Sequence, residues 1–325
     1  MRIVQVHQFG PPEVLTPVEQ EEPQAGPGQV VIAIEATGVG FGETLIRAGK
    51  YPYPLPFVPG WEVGGRVIKA GPNVDQSLLG ELVVARSMAG GGYAEQIAVD
   101  TSNVFPIPAG LSVEQAMGVF LAGQTAVCLR KAMDIKAGDT VLITAAAGSV
   151  GSLLIQLAKA AGASTVIGAA RGKAKLDAVS RLGADAAIDY SEDNWVEQVR
   201  EVTEGKGADV VLDSVGGTIG RQAFEATANG HGRIGIYGAS SGDGITIETL
   251  ALARRGVTVI GALGIAMAMM EQEQVMRANV DFVLAEAAAG RLTAVIGQTF
   301  PLERAAEAHA ALEARRTIGK ALLIP

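Results

Sequence analysis

The chain has 325 residues, 48% of them hydrophobic and 18% charged, with 42 glycines that follow no collagen period. That is enough apolar material for two domains with full cores, and it excludes a disordered or fibrous chain. A net charge of −8 disfavours nucleic acid and anionic membrane as partners, and a single cysteine, Cys128, excludes an internal disulfide framework. The opening MRIVQVHQFGPPEVL has neither the apolar core nor the cleavage signal of a secretory peptide, and Gly or charge interrupts the longest apolar runs. The expectation is a cytoplasmic chain with no membrane span.

Residues 1–120 read as β-rich: Arg2–Val6, 30–36, 65–70, 82–85 and 94–99 are short apolar runs separated by Gly/Pro-rich turns. They suggest a compact, partly open barrel. Near 111–117 the texture changes, with Ser112 as a helix N-cap. From Ala122 onward strands and helices alternate, beginning with a helix near 125–133. Strands are expected at 140–145, 164–169, 186–188, 209–212, 233–237 and 257–262, six in alternation, which makes a complete doubly wound sheet. A long helix follows at 271–289, and a tail helix (302–314) and strand (321–324) return to the first domain.

Residues 139–162 organise the second half. A β-branched run at 140–145 is followed by a small-residue turn and then by helical periodicity over 152–161. Laid on G-x-G-x-x-G, the turn reads Ala146-Ala147-Gly148-Ser149-Val150-Gly151, with the first glycine replaced by alanine. Gly148 would let backbone approach a pyrophosphate, Gly151 would let the helix pack closely, and the helix N-terminus would face the phosphates. The alternative is a turn kept small only for packing. An NAD site wants a carboxylate at the end of the second strand, but this one ends Ala170-Arg171-Gly172-Lys173-Ala174-Lys175. Three cations there suit a 2′-phosphate and hence NADPH, unless Lys173 and Lys175 only solvate a helix start.

The turn AAAGSVG after GDTVLI resembles quinone oxidoreductases, as do RAGKYPYPLPFVPGWEVGGRV, LAGQTA, GADVVLDSVGG and the ending ARRTIGKALLIP. These enzymes form the zinc-independent, zeta-crystallin-like branch of the medium-chain dehydrogenase/reductase superfamily. The resemblance spans essentially the whole chain. It implies an α/β protein with a GroES-like β-rich domain (1–121 and 291–325) and a Rossmann domain with a doubly wound parallel sheet (122–290). NADPH would sit in the cleft between them. It further implies an adenosine-phosphate pocket of Arg171, Lys175 and Tyr190, closed by Arg315, and a pyrophosphate turn of Gly148, Ser149, Val150 and Gly151. Thr125, Ser214, Val215, Tyr237, Gly238 and 263–265 (Leu263 and Ile265 included) match loops near the ribose and nicotinamide. Tyr190 also reads as a packed strand-end aromatic, and Thr125 as a helix N-terminal hydroxyl. The run 267–270 (MAMM) reads as acceptor cleft, core or dimer interface.

Zinc-dependent relatives carry a Cys where this chain has Gly40, and Gly-His-Glu where it has Gly60-Trp61-Glu62. Cys128, His7, His231 and His309 do not replace those ligands, and the four-cysteine structural lobe is absent, so no metal is expected. Hydride transfer to a quinone or to a C=C conjugated with a carbonyl needs less help than reduction of a simple carbonyl, because the acceptor delocalises the charge. Positioning in a dry cleft is then the protein's task, and no side chain stands out as a general acid. The family's G-V-N-F, with a Tyr five residues past the Asn, becomes Gly40 and Leu45 here. The acceptor side should therefore be roomier and more apolar, with Phe41 and Trp61 supplying stacking surface and bulkier enones preferred. Trp61 reads equally as plain core. Two other functions stay open: an NADPH-dependent enoyl or 2-alkenal reductase, and a non-catalytic NADPH- or RNA-binding protein. The last Rossmann strand is an apolar edge, and a homodimer through it would cover it.

Overall fold

The computed structural model describes residues 1–87 and 89–325. It divides into two compact units, Met1–Leu121 with Val280–Pro325, and Ala122–Asn279. In chain order the first unit contributes β1 (Arg2–Val6), β2 (Leu15–Glu19), β3 (Gln29–Val39), α1 (Phe41–Arg47), β4 (Glu62–Ala70), β5 (Leu82–Arg86), β6 (Gln96–Asp100) and β7 (Val104–Pro106). Then comes α2 (Val113–Ala132), within which the division falls. Two separate helices are expected in this stretch, but one forms. Ser112 and Gln115 close a reciprocal capping box at its start, Ser112 Oγ accepting the Gln115 N–H at 3.2 Å and Gln115 Oε1 accepting the Ser112 N–H at 2.9 Å. Burial of Met117, Val119, Phe120, Val127 and Leu129 carries the helix through Gly118 and Gly123, whose weak propensity suggests a break.

The second unit alternates: β8 (Thr140–Ile143), α3 (Ser149–Ala160), β9 (Thr165–Ala170), α4 (Lys173–Arg181), β10 (Ala186–Asp189), α5 (Trp195–Val202), β11 (Val210–Asp213), α6 (Gly217–Glu225), β12 (Arg233–Ile236), α7 (Thr249–Arg255), β13 (Thr258–Ile260) and α8 (Ala262–Glu271). Its six strands are parallel in the order β10-β9-β8-β11-β12-β13. That is the doubly wound order, in which ligands bind beyond the carboxyl ends of the strands where the order reverses, here at β8. Leu142, Ile167, Val211, Ile234 and Trp195 form the core on one face, and the central strands are buried on both sides because helices cover both.

α9 (Glu273–Ala288) follows α8 after a break at Gln272, so the expected single helix over 271–289 begins two residues later. The unit division falls inside α9, at Val280, rather than after it at residue 291. β14 (Ile296–Pro301), α10 (Ala305–Glu313) and β15 (Lys320–Ile324) complete the chain. β15 pairs antiparallel with β3 and parallel with β14, extending the first sheet to the path β14-β15-β3-β4-β5-β7, with β6 also on β3. Ile3, Val30, Ile32, Val63, Val83 and Ile97 fill this sheet's interior.

The turn after β8 departs in detail from the glycine pattern. The left-handed residue is Ala145, at φ +47°, one position before the alanine taken as the missing first glycine. Gly151 acts as expected, since a Cβ there would come within 2.6 Å of Ala145 O and 2.8 Å of Ala146 Cα. Left-handed backbone costs a non-glycine residue about 1–2 kcal/mol, against about 0.5–1 kcal/mol of extra chain entropy for glycine. Ala145→Gly should therefore stabilise the protein by roughly 0.5–1 kcal/mol. A urea midpoint that rises without a change in slope is the expected result, and an unchanged or lower midpoint contradicts it.

Candidate functional site

The carboxyl ends of β8, β9, β10, β11 and β12 gather most of the expected cofactor residues. At β8, Gly148 is the N-cap of α3 and offers no side-chain cap. Its own N–H bonds Ala145 O, and Ser152 N–H closes the first helical turn on Gly148 O at 2.9 Å. The N–H groups of Ser149, Val150 and Gly151 lie between, where a helix has no carbonyl to offer them. This end of α3 is a cradle for anionic oxygen, and it fits a pyrophosphate.

At the end of β9, Arg171 is exposed, and Gly172 takes φ +84° to start α4. Lys173 pairs with Asp177 at 3.0 Å on the exposed face, which is the solvated-helix role. Lys175 is half-buried. The carboxylate missing from β9 stands on the neighbouring strand: Asp189 accepts the Gly172 N–H at 2.8 Å and the Ser191 N–H at 2.9 Å. Burial raises the Asp189 pKa, but the Ser191 and Gly172 hydrogen bonds and the Arg171 charge outweigh it and hold the group below the usual carboxylate range. Asp189 thus serves to fix the β9–α4 turn. Tyr190, next in the chain, is buried, its N–H on Ala170 O at 3.2 Å.

At β11 one buried carboxylate orders the turn. Asp213 accepts the Thr144 hydroxyl at 2.6 Å and the N–H groups of Val215 and Gly216 at 3.1 and 3.0 Å. Thr144 Oγ1 in turn accepts the Ser214 N–H at 3.2 Å, so the ends of β8 and β11 are tied side by side. Tyr237, at the end of β12, is buried and bonded to Ser214; burial pushes its phenol pKa up, more than that bond lowers it. Ser214 O accepts the Ser240 N–H at 2.9 Å, and Gly238 lies against Ser214. Ser214, Val215, Tyr237 and Gly238 are thereby one connected group.

Three expected positions sit differently. Leu263 and Ile265 are not in a loop but on α8, and both are exposed, because 262–271 is helical. Thr125 is inside α2, not at a helix N-terminus, with its Oγ1 3.9 Å from Met270 Sδ. Met267 is half exposed.

Gly40, Phe41, Leu45, Trp61 and Arg315 belong to the first unit. Arg315 lies at φ +55° in the turn after α10. Gly40 caps α1, and its N–H donates to Glu43 Oε2 at 2.5 Å. Trp61 is half-buried and braced edge-on by Tyr53, ring centroids 6.1 Å apart, with Tyr53 tied to Ala89 O at 3.0 Å. Phe41 and Leu45 are partly exposed on α1.

Beneath Gly40 lies a buried polar cluster that no sequence signal marks. Tyr93 Oη is 3.3 Å from Glu43 Oε2 and 2.9 Å from His309 Nε2. Glu62 forms a buried ion pair with Lys320, and Arg47 pairs with Glu313 while donating to Gly10 O at 2.6 Å. Gly38 admits the Glu62–Lys320 pair, since a Cβ there would meet Glu62 Oε1 at 2.3 Å and Lys320 Cε at 2.7 Å. Burial pushes the Glu43 carboxyl up to about 7, against the lowering effect of the Gly40 hydrogen bond and of Lys320. Burial, then Arg47, pushes His309 down to about 3, so it stays neutral. His231, by contrast, is on the surface of the second unit with Asp209 at 2.7 Å. Among the described residues no three His, Cys, Asp or Glu side chains gather to hold a metal ion, and no helix is long and apolar enough to cross a membrane.

The Glu43 shift has a consequence for stability. Between the ordinary carboxyl value of 4.5 and about 7 the folded chain keeps a proton that the unfolded chain releases. Stability from this group is full below 4.5 and lost as pH rises to about 7. Glu43→Gln should therefore gain on the wild type across that window, by on the order of 3 kcal/mol, and run parallel to it above. Denaturation midpoints of both proteins at a series of pH values check this; a difference that does not change with pH contradicts it.

Two family profiles match the chain, an alcohol dehydrogenase GroES-like domain over residues 26–109 and a zinc-binding dehydrogenase over residues 149–282. Quinone oxidoreductase 1 of Escherichia coli (strain K12) is 34% identical over 328 residues, 99% of both chains. A 2-haloacrylate reductase of a Burkholderia species is 32% identical over 332 residues, 98% of both chains. The crystal structure of Escherichia coli quinone oxidoreductase complexed with NADPH superposes with a TM-score of 0.91 at 32% identity, covering all of both chains. With its GroES-like unit, its doubly wound parallel sheet and relatives of this kind along its whole length, the chain belongs to the quinone oxidoreductases, the zinc-independent branch of the medium-chain dehydrogenase/reductase superfamily.

Proposed function

We propose that this protein is an NADPH-dependent oxidoreductase that reduces a quinone or a conjugated enone without a metal. The observation that carries this is the β8–α3 turn: a helix N-terminus with no side-chain cap at Gly148, set at the switch point of the sheet. When bound, NADPH supplies a hydride from its nicotinamide ring. The N–H groups of Ser149, Val150 and Gly151 hold the pyrophosphate. Arg171 and Lys175 hold the 2′-phosphate, with Tyr190 beside them. Ser214, Val215, Tyr237, Gly238 and Thr125 line the ribose and nicotinamide. Gly40, Phe41, Leu45 and Trp61 form the acceptor wall, and their task is to orient a flat molecule and exclude water.

Gly40 and Leu45 are small or aliphatic, and Tyr53 holds the Trp61 ring edge-on. This favours bulky enones over small quinones, and the relation to a 2-haloacrylate reductase supports reduction of an activated C=C as a second reading. We also infer a homodimer. β13 is the last strand of its sheet, and Val259, Leu263, Ile265 and Met267 are 39–50% exposed around it, an apolar edge that a second copy would cover. A cytoplasmic location is in keeping with one cysteine, Cys128, buried and unpaired.

Arg171→Ala should raise the KM for NADPH roughly tenfold to a hundredfold and leave that for NADH unchanged, because only NADPH presents a phosphate there. Steady-state kinetics with both cofactors, against 1,4-benzoquinone and a bulky enone, check this. Equal losses with both cofactors would remove the assignment of Arg171, and a clear preference for the small quinone would remove that of the acceptor.

A further inference from the structure

Glu43 is an acid that the chemistry above leaves without a role. Its Oε2 accepts the Gly40 N–H and lies 3.3 Å from Tyr93 Oη, and Oε1 is buried without a partner. One carboxyl thus ties the segment that carries Gly40 to Tyr93. Position 40 has no side chain, and a Cβ built there would meet a single neighbour within 4 Å, Glu43 Oε2 at 3.5 Å. The carboxyl is the group nearest the space that a side chain at position 40 would fill.

We propose that Glu43 is a positioning residue of the acceptor site, whose charge state sets the rate of hydride transfer. The proposal rests on the quinone or enone reading. An enone that gains a hydride at its β-carbon, with the electron pair from NADPH, forms a new C–H bond there. The π electrons move to the carbonyl oxygen, which stays negative until water gives it a proton. A buried carboxylate beside that oxygen opposes the growing charge, whereas a neutral carboxylic acid holds the same turn without opposing it.

The groups facing Glu43 leave it as the switch. Glu62 and Lys320 neutralise each other across β4 and β15, and Arg47 is tied to Glu313 on α10. His309 stays neutral, and burial with the Glu43 charge pushes the Tyr93 phenol pKa up, so neither gains or loses charge near neutrality. Glu43, raised to about 7 by burial, does. Tyr93 Oη donates to its Oε2 and lies 2.9 Å from His309 Nε2, so the carboxylate has one hydroxyl donor.

The test is the pH dependence of acceptor kcat/KM with saturating NADPH, for wild type, Glu43→Gln and Tyr93→Phe. Wild type should fall roughly tenfold per pH unit above neutrality, mainly through kcat, and Glu43→Gln should be flat over the same range. Tyr93→Phe removes a donor to the carboxylate and should move the fall to higher pH, which keeps the test alive if Glu43→Gln does not fold. Infrared difference spectra give a readout apart from turnover: a protonated-carboxyl band lost on raising the pH through neutrality in wild type and absent in Glu43→Gln. An equal slope in wild type and Glu43→Gln, or a wild type without that band, overturns the role of Glu43 alone. NADPH binding with no turnover on any quinone or enone at any pH overturns the reading beneath it and the proposal together.

Discussion

The second unit depends on the close approach of α3 to the end of β8. A parallel sheet buried on both faces needs its helices packed hard against it, and the first crossover must turn within a few residues. The chain meets this by holding Ala145 in left-handed backbone and by keeping position 151 free of a Cβ that would strike Ala145 O. The same constraint produces the binding feature. A helix forced to begin this close to the strand end, with glycine at its N-cap, has no side chain to spend on its first N–H groups. Those donors face outward, with the helix dipole behind them.

Around that turn, polar groups do structural work so that the ligand-facing groups can stay open. Asp213 is wholly buried, yet its carboxylate is saturated by Thr144, Val215 and Gly216. It locks neighbouring strand ends that a ligand would otherwise have to organise. Asp189 does the same for the β9–α4 turn, next to the exposed Arg171. In the first unit the Glu62–Lys320 pair joins β4 to the C-terminal strand, so the end of the chain helps hold the segment that carries Trp61. Breaking a pair this buried leaves a lone charge in apolar surroundings, a far larger loss than a surface pair would bring.

What could be read from sequence followed the range of the interactions. The β8 run, the turn and α3 are contiguous, and so their identity was legible from periodicity and small residues alone. The cation run at the end of β9 was legible for the same reason. The stretches 111–117 and 125–133 read separately in sequence, whereas buried packing along the whole face joins them in α2. The loop at 263–265 is implied by the family resemblance alone, and here local helix formation over 262–271 replaces it. The Glu43 cluster was invisible. Its members lie 50 residues apart at Glu43–Tyr93, 216 at Tyr93–His309 and 258 at Glu62–Lys320, and only the fold brings them together.

The central claim is direct hydride transfer from NADPH to a conjugated acceptor on a metal-free protein. It is tested most directly by supplying NADPH deuterated at nicotinamide C4, on each face in turn, to chelator-treated protein with a bulky enone. The account predicts saturated ketone carrying one deuterium at the former β-carbon with one face only. Product without deuterium from either face, or activity that chelation abolishes and added zinc restores, would contradict it.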